Sequence, residues 1–178
     1  MVGEEDFSVT LAAVDEVVLG QLVHAAISDA AADEVTPPPT AGEAWTPTRV
    51  AWLRGFHRDR RPGLGGPARE ATWAVVIGGR VVGSVRLKRT DEQGMLETGA
   101  WLTRPVRGRG VGRAAVAAVL DEAAALGASA VRADTTTTNA AALAVLERLG
   151  FSLTSAGDGR SVRALLLLEP QTPSTERR

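Results

Sequence analysis

The sequence predicts an α/β fold of the mixed (α+β) type, in which a central mixed sheet of six to seven strands carries about four helices on its two faces. Two patterns support this prediction. Residues 72–77 form a β-branched run and residues 80–88 alternate in polarity, and the Gly78-Gly79 pair between them is the signal of an antiparallel hairpin. Farther along, an Ala-rich helical run links two strand-like runs, and a crossover of this kind makes its two strands parallel.

The first half of the chain supplies a strand and two helices ahead of the hairpin. Residues 7–13 alternate as a strand does, and Asp15 is placed to cap a helix whose apolar residues recur at helical spacing through about residue 29. The prolines at 37–39 break any helix, and Thr46 or Thr48 can start a second helix over about 47–58. Residues 61–70 contain three glycines and two prolines, which predicts a loop.

The second half of the chain supplies the crossover and a last hairpin. A strand is predicted over 95–103, followed by a helix over about 111–126 that ends at Gly127. Another strand is predicted over 128–134, and Asn139 then caps a short helix that ends at Gly150. Strands over 151–155 and 162–168 form the final hairpin.

Composition limits the classes of protein to which this chain can belong. With 178 residues and 44% hydrophobic content it is long enough for one well-packed domain, which we assign to residues 1–170, with a polar C-terminal tail at 171–178. A net charge of −1 argues against a general nucleic-acid or membrane-surface binder. There is no cysteine, and His24 and His57 are the only histidines, so we predict no thiolate nucleophile and no metal site. His57 follows an apolar helix face, where a surface position is the simplest expectation.

The chain also carries no recognisable targeting or membrane segment. Residues 1–6 are acidic and lead into no hydrophobic signal core. No apolar run approaches the ~20 residues that a membrane span requires. We therefore expect a soluble, cytoplasmic protein with neither a nucleic-acid nor a membrane partner.

The most informative stretch is the glycine-rich turn over residues 107–112, between the strand ending near Leu102 and the Ala-rich helix. A strand that turns through glycines into a helix points several backbone N–H groups at one spot, where the helix dipole favours a phosphate. Four arginines lie in or beside the turn: Arg104, Arg107, Arg109 and Arg113. A dinucleotide fingerprint would need glycine where Arg113 stands, and a Walker-type loop would need Lys-Ser or Lys-Thr after its glycines. The remaining alternative is that the turn only connects a strand to a helix and binds no ligand.

What does fit the turn is the R/Q-x-x-G-x-G/A signature, with Arg107, Gly110 and Gly112 at its fixed positions. With this turn, the strands at 81–85 and 96–102 and the string at 139–151 make the chain resemble the GNAT family of N-acetyltransferases over roughly residues 72–168. The string at 139–151 is closest in style to the branch that acetylates ribosomal-protein N-termini. The resemblance implies the GNAT fold and acetyl-CoA as co-substrate.

The resemblance also assigns roles to residues of this chain. Backbone N–H groups in the turn would hold the pyrophosphate, strand residues would offer main-chain groups to the pantetheine arm and thioester carbonyl, and Asn139 would face the pantetheine or an ordered water. The implied cofactor-binding residues are Leu102, Thr103, Arg104, Arg107, Gly108, Arg109, Gly110, Val111, Gly112, Arg113 and Asn139. Glu97 occupies about the place of the family's general base, and no metal is implied. Each assignment has a competing interpretation. Glu97 could be a solvated or salt-bridged residue on the face of the sheet, and Asn139 could serve only as a helix cap.

One position departs from the family pattern. An amine with a pKa near ~10 must lose a proton before it can attack a thioester, which explains the need for a base. The acid in many relatives is a tyrosine in the helix that Asn139 begins, but Leu146 stands there and the chain has no tyrosine. Ser152 and Thr138 are the remaining candidates, beside water or no acid at all.

These observations predict an acetyl-CoA-dependent N-acetyltransferase that moves the acetyl group directly to a primary amine in a ternary complex. The amine would belong to a protein or peptide N-terminus, an aminoglycoside-like antibiotic or a small metabolite. The alternatives are a catalytically silent acyl-CoA-binding sensor of the same fold and a different phospholigand enzyme. The family also allows a homodimer. Several acidic residues in loops could attract a cationic acceptor or simply be solvated: Asp33, Glu34, Glu43, Asp91 and Glu92.

Overall fold

The computed structural model describes residues 8–36 and 44–169. Phe7, the prolines at 37–39 and the predicted tail at 171–178 lie outside these ranges. The described residues form seven strands and five α-helices. In chain order they are β1 Val9–Ala13, α1 Glu16–Asp29, α2 Ala32–Val35, α3 Pro47–Asp59, β2 Glu70–Ile77, β3 Arg80–Arg89, β4 Met95–Leu102, α4 Val111–Ala125, β5 Ala130–Thr136, α5 Ala140–Arg148, β6 Ser152–Ser155 and β7 Ser161–Leu167.

All seven strands belong to one mixed sheet, which confirms the predicted fold class. The strand order is β1-β2-β3-β4-β5-β7-β6. Only β4 and β5, joined by the α4 crossover, are parallel, and every other neighbouring pair is antiparallel. Among the α-helices of the described residues, α2 is the one that sequence analysis did not predict, because four residues are too few to show a helical period.

Side-chain caps fix where three helices begin. Asp15 accepts a hydrogen bond from the Val18 N–H at 2.8 Å, and Thr46 accepts one from the Arg49 N–H at 3.2 Å. Asn139 caps α5 by accepting from the Ala142 N–H at 3.1 Å. These contacts confirm the cap positions expected from the sequence, since each satisfies an N–H that the first helical turn leaves unpaired.

Helices cover both faces of the sheet, each with its own hydrophobic cluster. On one face, α4 and α5 pack on residues such as Leu87 and Val131, which are fully buried. On the other face, α1 and α3 pack on β1 to β4 through Leu19, Leu22 and Leu53. The sheet therefore separates two cores, and any ligand that passes between two strands would connect the two faces.

His57, expected at the surface, is instead buried at 1% exposure in α3. Its Nδ1 lies 2.9 Å from Thr72 Oγ1 on β2, and its ring meets Phe56 edge-on. Burial lowers the pKa of His57 from 6.5 to about 4, with repulsion from Arg60 and Arg61 adding to the effect. The side chain is therefore a neutral core residue with no part in the predicted chemistry.

The depressed pKa of His57 makes folding stability depend on pH. Below pH 6.5 the unfolded chain binds this proton and the folded protein does not, so stability is lost as pH falls from 6.5 toward about 4. At pH 5 the loss should reach about 2 kcal/mol. We expect His57→Gln to remove this loss, measured as the difference in urea unfolding free energy between pH 7 and pH 5.

The exposed residue His24 provides the matched control. The same substitution there, His24→Gln, should leave the pH dependence of the wild type in place. An equal pH dependence in wild type and His57→Gln would show that the buried imidazole does not contribute.

Candidate functional site

The central feature of the site is that β4 and β5 pair along only part of their length. Their register joins Met95 to Ala130, Leu96 to Val131 and Glu97 to Arg132. Beyond that point β4 continues to Leu102, paired with β3, and β5 continues to Thr136, paired with β7. The two strands thus diverge after their third pair and leave a wedge-shaped opening in the middle of the sheet.

Main-chain groups at the end of β4 determine what the opening offers. The Thr103 N–H donates to the Val82 C=O at 2.9 Å, and the Thr103 C=O accepts from the Val106 N–H at 3.3 Å. Because peptide groups alternate along a strand, the Leu102 C=O and N–H point the other way, toward β5. The main-chain contact expected of Leu102 with a ligand remains a prediction. Thr103 does not offer main-chain groups, because both are already used.

The glycine-rich turn leads from β4 into α4 with the geometry predicted from the sequence. Gly108 and Gly110 have φ of 76° and 83°, in the left-handed region, and α4 begins at Val111. The first bond of the helix runs from the Ala114 N–H to the Gly110 C=O at 3.0 Å. The N–H groups of residues 111–113 precede that bond, so they have no partner within the helix. No atom lies within 4 Å of the Cβ position at Gly108 or Gly110, so the backbone there is open to a ligand.

The Arg107 guanidinium makes contacts both with the end of β4 and with α2. Its Nε and Nη2 donate to the Leu102 C=O at 3.0 and 2.8 Å. The same guanidinium forms a two-point ion pair with Glu34 of α2, at 3.1 and 2.8 Å, which lowers the pKa of Glu34. Arg107 thus ties α2 to the end of β4, and Arg104, Arg109 and Arg113 are also exposed around the turn.

Glu97, the predicted base, lies at the narrow end of the opening between two guanidinium groups. Its Oε1 accepts from Arg86 Nη2 at 2.8 Å, and its Oε2 accepts from Arg132 Nη2 at 3.0 Å and Nε at 3.3 Å. Desolvation raises the pKa of Glu97, but the bonds from Arg86 and Arg132 outweigh it and hold this pKa below its ordinary value. The side chain is therefore an ionised carboxylate in the salt-bridged environment that sequence analysis gave as the competing interpretation.

The ion pairs of Glu97 belong to a longer chain of alternating charges across the sheet. The chain runs through Arg60, Glu70, Arg86, Glu97 and Arg132. Glu70 is buried at 3% exposure and accepts from both Arg60 and Arg86. Sequence analysis did not find this chain. The sequence did contain one sign of it, because a glycine inside a strand often marks the close approach of another group. That glycine is Gly99, where a Cβ would lie 2.9 Å from Arg86 Nε.

Asn139 and the candidate acids Thr138 and Ser152 occupy exposed positions, Asn139 and Thr138 after the end of β5 and Ser152 on the edge strand β6. Asn139 caps α5, as described above, and its predicted contact with a cofactor remains a prediction. Thr138 Oγ1 lies 3.1 Å from Thr136 Oγ1, and Ser152 is exposed at the start of β6. Leu146, which stands where relatives place a tyrosine, is a buried member of the core beneath α4 and α5.

The profile of the Acetyltransferase (GNAT) domain family matches residues 10–152 of the chain. This protein belongs to the GNAT family. The match covers β1 through the start of β6 and includes the opening, the glycine-rich turn and the ion chain. No curated protein sequence matches the chain.

Solved structures of GNAT proteins share the fold at low sequence identity. The ribosomal L7/L12 alpha-N-protein acetyltransferase RimL, in complex with coenzyme A, is 15% identical with a TM-score of 0.68, covering 94% of this chain and 97% of that one. The microcin C7 self-immunity acetyltransferase MccE, in complex with acetyl-CoA and AMP, is 14% identical with a TM-score of 0.66, covering 93% and 94%. The Escherichia coli ribosomal-protein-S18-alanine N-acetyltransferase is 16% identical with a TM-score of 0.59, covering 96% and 99%.

Two further findings apply to residues 8–36 and 44–169 of this GNAT protein. No helix there is both long and apolar enough to cross a membrane. No group of three or more His, Asp or Glu side chains in these ranges is arranged to hold a metal ion.

The close packing of Arg86 over Gly99 leads to a stability prediction. A methyl group at residue 99 would lie 2.9 Å from Arg86 Nε and 3.3 Å from its Cζ and Nη2, and two ion pairs prevent that side chain from moving aside. We expect Gly99→Ala to lower the unfolding free energy by about 1–3 kcal/mol, because a displaced Arg86 leaves buried Glu70 short of a partner. Urea denaturation measures this loss.

Gly157→Ala is the control, since its Cβ position has no atom within 4 Å and its φ is not in the left-handed region. An unchanged urea midpoint for Gly99→Ala would contradict the packing described here.

Proposed function

We propose that the protein is an acetyl-CoA-dependent N-acetyltransferase that moves the acetyl group directly to a primary amine in a ternary complex. The observation that carries this proposal is the continuity between the β4–β5 opening and the exposed amide groups of the glycine-rich turn. The turn can hold two phosphates, and the opening that begins beside it suits an extended arm bearing amides. The folds of RimL and MccE, whose structures contain coenzyme A and acetyl-CoA, support this choice of ligand.

The proposed contacts follow from the geometry of the turn and of Leu102. The amides of Gly108 and of residues 110–113 would bind the pyrophosphate, with the exposed Arg104, Arg109 and Arg113 at its edge. The Leu102 N–H, which points into the opening, would donate to the thioester carbonyl and stabilise the negative charge that develops there. Thr103 drops out of the proposed main-chain contacts because Val82 and Val106 occupy its N–H and C=O.

Bound acetyl-CoA supplies a thioester whose C–S bond breaks as the amine nitrogen bonds to the carbonyl carbon. The role proposed for Glu97 is to accept a proton from the ammonium group of the acceptor, through an ordered water, so that the free amine can attack and CoA can leave as the thiolate. Oε1 takes a single hydrogen bond from Arg86, so it keeps a lone pair for that water. Its two cationic partners keep Glu97 ionised at neutral pH but also weaken it as a base. Holding both reactants together would then supply much of the rate.

The acceptor class remains a proposal with three members: a protein or peptide N-terminus, an aminoglycoside-like antibiotic and a small metabolite. A silent acyl-CoA sensor is the second candidate, favoured by Leu146 in place of the acid tyrosine of many relatives. Release of free thiol from acetyl-CoA in the presence of a panel of amines separates an enzyme from a sensor.

Ligand binding at the turn can be measured by thermal shift with acetyl-CoA, CoA, ATP and NAD. We expect the two CoA ligands to raise the Tm, by an amount that grows with concentration, and ATP and NAD to have little effect. Gly110→Glu should abolish the shift, since it places a carboxylate among the amides and forces a side chain into a backbone with φ of 83°.

Gly159→Glu is the matched control, because that glycine also has a positive φ, of 66°, but lies in the β6–β7 turn. It should keep the full CoA shift. Retained binding in Gly110→Glu would move the phosphate site away from the glycine-rich turn.

The role of Glu97 can be separated from its part in the ion chain. We expect Glu97→Gln to lower kcat at neutral pH by about a hundredfold, as is typical for loss of a general base, while the Kd for acetyl-CoA changes little. Steady-state kinetics with a saturating amine and calorimetry with acetyl-CoA measure the two quantities.

Glu70→Gln removes a neighbouring carboxylate from the same ion chain and is the comparison. An equal fall in kcat for both variants would mean that the ion chain matters only for structure. Unchanged kinetics in Glu97→Gln would place the base elsewhere.

A further inference from the structure

We infer that Arg132 is an anion-binding subsite that selects acceptor amines carrying a carboxylate or phosphate close to the amino group. This inference rests on the proposed function and names the substrate class for it. Three observations support it: the place of Arg132 in the sheet, the partners of the surrounding carboxylates and the short distance between Arg132 and Glu97.

Arg132 lies at the narrow end of the β4–β5 opening. Its Cα is the register partner of Glu97, in the last pair before the strands diverge. Its side chain reaches Glu97, so both project from the sheet face that carries α1 and α3. The hydrophobic cluster beneath those helices takes its strand residues from β1 to β4, within the ranges that the structure describes. An acceptor entering from this side would therefore meet Arg132 at the border between the covered and the open part of the face.

Four carboxylates around the opening already have cationic partners. Glu70 and Glu97 are each bound by two guanidinium groups, and Asp134 pairs with Arg163 at 3.2 Å. Glu34, above the opening, is held by Arg107. Exposed Glu92 also acts on Arg132 through space, together with Asp134. A polycationic acceptor would have to break a close pair to gain Glu34, Glu70, Glu97 or Asp134, which disfavours aminoglycoside-like compounds and polyamines.

Arg132, in contrast, has donors left over. It uses Nε and Nη2 on Glu97, and Nη1 donates to no group in the part of the chain that the structure describes. Its side chain is 25% exposed, so an incoming oxyanion would meet a partly desolvated guanidinium edge. A charge-assisted hydrogen bond is strongest under such conditions. The chain of alternating charges begins with Arg60 and ends with Arg132, and Arg132 is the end that lies beside the opening.

The contact between Arg132 and Glu97 also limits the shape of the acceptor. If the proton of the amine goes to Glu97 while an anionic group binds Arg132, both groups of the acceptor lie within reach of one ion pair whose closest atoms are 3.0 Å apart. The amine and the anion must then be separated by only a few bonds. An amino acid, a phosphorylated amino alcohol, or a peptide N-terminus followed at once by an acidic residue meets this condition.

The test uses amines that differ in one end group: β-alanine, β-alaninamide, propanediamine and phosphoethanolamine, with a peptide pair whose second residue is glutamate or glutamine. Thiol release from acetyl-CoA gives kcat and KM for each. We expect an acid or the phosphate to exceed its neutral partner in kcat/KM by about tenfold, and the diamine to be the poorest substrate. Comparison of β-alanine with phosphoethanolamine shows whether a carboxylate or a phosphate is preferred. Equal rates across the series, or a preference for the diamine, overturn the inference.

Variants of Arg132 separate recognition from a structural effect. Arg132→Gln should raise KM for the anionic acceptors by about tenfold and change KM for the neutral amide and for acetyl-CoA by less than about twofold. Arg132→Lys should give KM values for the anionic acceptors between those of the wild type and Arg132→Gln, because it keeps the charge and loses the planar guanidinium. Arg148 is exposed on α5 and provides the control. Arg148→Gln removes one positive charge there and should leave the KM values for all acceptors and for acetyl-CoA unchanged. A loss in Arg132→Gln that is equal for all acceptors, or that appears in kcat alone, overturns the inference.

Failure of this inference can be distinguished from failure of the proposed function. Turnover without an anion preference removes the subsite and leaves the acetyltransferase in place. If no amine is turned over but CoA binds, the subsite can still be tested by binding. Saturation-transfer NMR then compares how strongly the same amines bind to the CoA-loaded protein. Stronger binding of β-alanine or phosphoethanolamine than of β-alaninamide, lost in Arg132→Gln, supports the subsite, and any other ranking overturns it.

Discussion

The partial pairing of β4 with β5 is the constraint on which the site depends. Peptide groups that leave a ladder must find other partners, and this applies to the groups of β4 that face β5 beyond Glu97. The Leu102 C=O takes the Arg107 guanidinium, and the Leu102 N–H faces the opening. A ligand with its own amides can satisfy such an edge as a neighbouring strand would. The divergence therefore leaves main-chain groups open to a ligand beside the glycine-rich turn, where we propose that the pyrophosphate binds.

The alternating ion chain places a charged group at the narrow end of this opening without leaving it uncompensated. Removing a carboxylate from water is costly unless it is paired, and Glu70 and Glu97 each have two guanidinium partners. Gly99 makes room for Arg86 between them. The same pairing that keeps Glu97 ionised lowers its affinity for a proton. Its proposed role therefore relies on position beside the thioester more than on basic strength.

What could be predicted from the sequence was local. Asp15, Thr46 and Asn139 act as caps because the capping bond reaches only three residues along the chain, and Gly110 stands at a turn that its neighbours define. Pairs that depend on the tertiary fold were not predictable. Arg107 and Glu34 are 73 positions apart, and Arg132 and Glu97 are 35 apart. His57 was misplaced for the same reason: helical spacing indicates a face, but Thr72 and the packing of α3 decide whether that face is buried.

The missing tyrosine has a consequence for how the proposed reaction must be arranged. Leu146 fills its place with a buried apolar side chain, and the hydroxyls of Thr138 and Ser152 are exposed. A thiolate is a tolerable leaving group near neutral pH, since thiols have pKa values of about 8.5. Expulsion of CoA therefore does not require a protein acid. Deprotonation of the ammonium does require an acceptor, because a pKa near ~10 leaves almost no free amine at neutral pH. The chemical demand on this chain thus falls on the amine side of the opening, where Glu97 and the arginines that hold it lie.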